Sequence, residues 1–83
     1  MDTNLKTLIE SIGFDGGDGD FYFMLGDIRL CVYSNYVEMY IFDRATADRY
    51  YNISMHDRQE HSDEEIIKWL KDSLFELRLL KDW

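Results

Sequence analysis

The chain has 83 residues, 46% of them hydrophobic and 16% aromatic, with a formal net charge of −8. That composition is that of a folded globule, ordered through most of its length, and the length suits one domain with a small core. No run approaches the roughly 18 apolar residues of a membrane span, no charged n-region precedes an apolar h-region, and no basic footprint for phosphate exists. A membrane protein, a signal peptide and a direct nucleic-acid binder are therefore disfavoured, and a cytoplasmic setting is expected, in keeping with a single cysteine, Cys31.

Leu5, Leu8, Ile9 and Ile12 recur with helical spacing, with Asp2 or Thr3 to cap the start and Gly13 to end the helix. FDGGDGDFYF, Phe14 to Phe23, then reads as a glycine-rich acidic turn. Phe21 to Leu25, Ile28 to Tyr33 and Tyr36 to Phe42 follow as strands, joined at Gly26-Asp27 and Ser34-Asn35. This predicts a three-stranded antiparallel meander. Arg44 to Asp48 shows no strand pattern and reads as a loop or helical turn, Tyr50 to Met55 can supply a fourth strand, and His56 to His61 is a polar loop. Ser62 and Glu65 form a capping box, with Asp63, Glu64 and Glu65 at the positive end of a long helix running towards Asp82. The expected class is α+β: a short helix, a three- to four-stranded sheet, and a long helix packed on one face.

The long helix carries one stripe of Ile66, Ile67, Leu70, Leu74, Leu77 and Leu80, suited to covering the sheet. Beside it, Trp69, Phe75, Leu79 and Trp83 form a second stripe that suits the N-terminal helix or a homodimer seam. Alternation places Ile28, Leu30, Val32, Val37, Met39 and Ile41 on the core side, joined by Phe21, Phe23 and Leu25. The opposite face receives Tyr22, Met24, Arg29, Cys31, Tyr33, Tyr36, Glu38, Tyr40 and Phe42. An aromatic, acidic face of this kind suits a protein interface. Stacking bases on it conflicts with the missing positive groove.

Charge is uneven along the chain: residues 1–43 hold eight acids against two bases, residues 44–65 six against three, and residues 66–83 three against four. Asp15, Asp18 and Asp20 do not have EF-hand spacing, and Phe21 stands where a glycine-rich calcium repeat needs aspartate. No metal or cofactor is expected. His56 and His61 have no zinc spacing, and Cys31 has no oxyanion partner, so no enzyme is expected either. The candidate binding residues are Asp15, Asp18, Asp20, Asp27, Tyr33, Tyr36, Glu38 and Tyr40, whose carboxylates can imitate phosphates along a backbone.

In size, acidity, lack of proline and helix, meander, helix order, the chain resembles the small acidic inhibitors of phages and mobile elements, including the anti-CRISPR proteins. The resemblance implies a cytoplasmic protein that blocks the nucleic-acid-binding surface of a nuclease or CRISPR-Cas effector by nucleic-acid mimicry. A basic protein is then the partner. The chain also resembles the immunity proteins that cap basic toxin nucleases, and a homodimeric adaptor joined through the C-terminal helix is a third reading.

Overall fold

A computed structural model describes residues 3–16 and 21–81. The expected roles of Asp2, Asp18, Asp20 and Trp83 lie outside the described residues. Helix α1, Thr3–Ser11, forms on the expected apolar spacing, and Leu5 and Ile9 are fully buried. The Gly13 N–H bonds the Glu10 carbonyl at 3.0 Å with φ at 119°, a conformation a side chain would strain, and the chain turns there.

Among the described residues five antiparallel strands follow in simple succession: β1 (Asp15–Gly16), β2 (Tyr22–Leu25), β3 (Ile28–Val32), β4 (Tyr36–Asp43) and β5 (Asp48–His56). The expected meander is present and extended at both edges. Asp15 and Gly16 do not remain a turn but pair with Met24 and Phe23. Tyr50 to Met55 lies within β5, the longest strand, which pairs with β4 along most of its length. Residues 44–47 form the connecting turn, held by the Asp43 side chain accepting the Ala45 N–H at 2.9 Å. A 3-10 turn, Arg58–Glu60, occupies the stretch expected to be loop.

Side-chain rows cross the sheet in register, Phe23 with Leu30, Met39 and Ile53, and Val32 with Val37 and Met55. Helix α2, Asp63–Lys81, covers this face with Ile66, Leu70, Leu74 and Leu77, all buried together with Leu5, Ile9 and Phe14. A small sheet has to bury its apolar side in this way to be stable. The capping box forms as expected: the Glu65 N–H bonds Ser62 Oγ at 3.2 Å, and the Ser62 N–H bonds Glu65 Oε1 at 3.1 Å. Asn4 then ties α1 to the start of α2 through Asp63 Oδ2 at 2.9 Å.

Two core expectations need correction. Phe21 precedes β2 and is 48% exposed, because the regular strand begins one residue later. Leu80 is 36% exposed, near the end of α2, whereas Ile67 and Leu25 are half-buried against the core. Among the described residues no helix is long and apolar enough to cross a membrane.

Candidate protein-binding face

The face of the sheet away from the helix-packed core carries the row Tyr22, Cys31, Glu38 and Ser54, and the row Met24, Arg29 and Tyr40. These are the outward residues that alternation predicts. Their burial is not what a water-facing sheet shows. Arg29, Cys31 and Tyr40 are 4%, 4% and 3% exposed, although the buried core cluster containing both helices lies on the other side.

The cover comes from long side chains of the same face. The Arg29 guanidinium lies 5.3 Å from the Phe42 ring centroid, and its Nη1 donates to the Gly26 carbonyl at 2.6 Å and the Ile28 carbonyl at 3.2 Å. Gly26 has φ at 60°, so glycine suits the turn that offers this carbonyl. Arg49 lies 4.6 Å from the centroid of Tyr40. Both contacts place a cation over the negative face of a ring.

Arg49 reaches that position because β5 is bulged. Met39 pairs with Ile53 and Ile41 with Tyr50, so one residue of β4 faces two of β5, with Tyr51 at φ 56°. An extra residue shifts the two-residue alternation and re-aims what precedes it. Arg49, opposite Phe42, therefore joins the outer face. Nothing in the spacing of Tyr50 to Met55 signals this, and sequence reasoning missed Arg49.

At the other end of the strands four rings stand in a row. Phe21 and Tyr33 have centroids 6.2 Å apart, Tyr33 and Tyr36 4.5 Å, and Tyr36 and His56 6.0 Å, with interplanar angles of 33°, 27° and 29°. Tyr36 is stacked between Tyr33 and His56, and Phe21 is tilted against Tyr33. His56, expected to be a loop residue, is the last residue of β5 and completes the row, whereas His61 sits 3.3 Å from Glu65 before α2. Beside the row, Ser54 Oγ donates to Asn52 Oδ1 at 3.3 Å and Asn52 Nδ2 to Glu38 Oε2 at 3.4 Å.

A hydrogen bond with Cys31 pushes the Tyr33 phenol up to about 12, and burial does the same for Tyr40. Burial raises the Cys31 thiol above its ordinary value, so it stays protonated. Cys31, Tyr33 and Tyr40 are thus neutral groups on a face that also carries the Arg29 and Arg49 cations.

Of the candidate residues, Tyr33, Tyr36 and Glu38 come together, half-buried, on this face. Tyr40 lies further along the same strand beneath Arg49 and is too covered to touch a partner. Asp15 is exposed on β1 opposite Met24, while Asp27 is half-buried in the β2–β3 turn, beside a cleft of about 390 Å³ shared with Asp43, Arg44 and Tyr50. The expectation of an acidic face needs correction: among the described residues Glu38 is its one carboxylate within β2 to β5, alongside Arg29 and Arg49, and Asp15 and Asp27 stand at its border.

Compared with known proteins, the chain matches no family model, no curated protein and no solved structure.

Proposed function

We propose that this chain is a small acidic inhibitor of the anti-CRISPR type, acting in the cytoplasm, that blocks a basic nucleic-acid-binding surface of a nuclease or CRISPR-Cas effector. The observation that carries the reading is the fixed row of Phe21, Tyr33, Tyr36 and His56 beside Glu38, on a chain of net charge −8. Rigid aromatic groups supply contact area at little entropic cost, and the surrounding negative field draws a basic partner in. Tyr36 is flanked by Tyr33 and His56, which suits contact through its edge and hydroxyl with protein side chains better than stacking of bases. Asp15 at the border of the face, with Asp18 and Asp20 near it in the sequence, then meets the lysines and arginines that otherwise hold phosphate. No catalytic step and no cofactor enters this reading.

The test is retention of host proteins on the immobilised chain at about 50 mM and about 500 mM salt, which brackets weak and strong screening. Salt-sensitive retention of a nuclease or Cas effector, lost in an Asp15→Lys, Asp18→Lys, Asp20→Lys variant and weakened by Tyr36→Ala, is the expected result. Inhibition of the retained protein that is unchanged by the triple variant sinks the mimicry. A retained toxin nuclease encoded beside this chain turns the same surface into that of an immunity protein.

A further inference from the structure

Strand β5 ends the sheet order, and its nine residues contrast with the two of β1 at the opposite edge. A terminal strand offers one row of N–H and C=O groups to a further strand. The ladder identifies the residues that own this row. The Tyr33 N–H bonds the Tyr36 carbonyl and the Phe42 N–H bonds the Asp27 carbonyl, so even-numbered residues of β4 bond to β3 and odd-numbered ones to β5. Val37 and Met39 pair with Met55 and Ile53, which directs the backbone groups of Asn52, Ser54 and His56 away from the sheet.

Edges are ordinarily blunted by charged residues, proline or a bulge. Here the bulge falls at Tyr51, and residues 52–56 beyond it carry no Lys, Arg, Asp, Glu or Pro. On the helix side Ile53, Met55 and Trp69 are half-buried against the core, which leaves an apolar border along the same edge.

We propose that this edge pairs with the same edge of a second copy, antiparallel and two-fold symmetric, so that two five-stranded sheets become one. Self-complementarity about a two-fold axis selects the occupant. With Ser54 on the two-fold axis, Ser54 faces Ser54 and Asn52 faces His56, so two chains of net charge −8 meet across a stretch that holds no carboxylate. Ile53 and Met55 of the two copies close the apolar border. The symmetry also sets both aromatic faces on one side of the joined sheet, although the pairing does not depend on the function proposed for them. A contact of this extent falls at the weak end of specific interfaces, below about 1,200 Å², so it forms at high protein concentration.

Sedimentation equilibrium of the full chain tests this from about 20 µM to about 1 mM, a range suited to weak association. The mass should rise from 10.0 kDa towards that of a dimer. It should rise further at about 300 mM than at about 50 mM salt, since screening relieves repulsion between like-charged copies. That dependence is opposite in sign to capture of a basic partner.

Ser54→Pro removes an outward donor while sparing the bonds of Ile53 and Met55 to β4, and Ser54→Lys sets two ammonium groups face to face. Each should remain a monomer with the parent's circular dichroism, and Ser54→Lys decides the matter if Ser54→Pro does not fold. A Phe75→Asp, Leu79→Asp variant should still dimerise. A parent chain that stays monomeric throughout overturns the proposal, as does a dimer that survives both Ser54 changes. Loss of the dimer in the helix variant overturns it too, by moving the contact onto α2.

Discussion

The centres of the sheet's two faces are both buried, by different chemistry. One is closed by helices: Phe23, Leu30 and Met39 are fully buried with Leu5, Ile9, Leu70 and Leu77. The other is closed by its own side chains, with Arg49 over Tyr40, Arg29 against Phe42, and a row of rings above the β3–β4 turn. The first cover is aliphatic and set by shape. The second is polar at its rim and held by hydrogen bonds, cation–ring contacts and protonation states.

Substitutions should separate the two covers. Phe23→Ala removes a ring at the centre of the helix-covered face and should cost about 3–5 kcal/mol, read by urea unfolding. A domain of this size has little stability to spare, so failure to fold at 37 °C, a temperature typical of assays, is the practical form of that loss. On the other face, Arg29→Met should cost about 2–3 kcal/mol, because it leaves the Gly26 and Ile28 carbonyls without their buried donor. A cost near zero would mean that methionine packing replaces both bonds, and that the second cover is as aliphatic in energetics as the first.

Alkali distinguishes the faces without mutation. Tyr33 and Tyr40 ionise near pH 12 in the folded chain and near 10 when unfolded, so their contribution is complete below pH 10 and is lost as the pH rises from 10 to 12. Stability should fall across that window, in step with a delayed rise of phenolate absorbance. Tyr40→Phe should flatten part of the fall. Tyr36→Ala, which opens the middle of the ring row, should cost about 1 kcal/mol while impairing partner binding much more. Smallest of all, Phe75→Asp should shift stability by under about 0.5 kcal/mol, because that ring is 67% exposed on α2.

The helix-covered face was legible in the sequence because apolar spacing is a direct record of burial. Leu5 with Ile9, the alternation through Ile28 to Ile41, and the Ser62 and Glu65 box all formed as expected. The outer face was legible in membership but not in burial. Arg29 reads as a solvent-facing charge, and only the turn carbonyl and the Phe42 ring beside it show why it is covered. Arg49 could not be placed, because a one-residue bulge inverts the alternation without leaving an apolar pattern of its own. β1 stayed hidden for a related reason: Asp15 and Gly16 are poor strand formers that pair because β2 offers them a partner.

The unbroken succession of strands has a kinetic consequence. Each hairpin can close on its nearest neighbour in the chain, so the entropy lost in bringing strands together is spread over short loops. The sequence contains no proline, and prolyl isomerisation cannot add a slow step. A stopped-flow refolding trace should therefore show a single fast exponential, with the sheet zipped hairpin by hairpin before α2 settles over it.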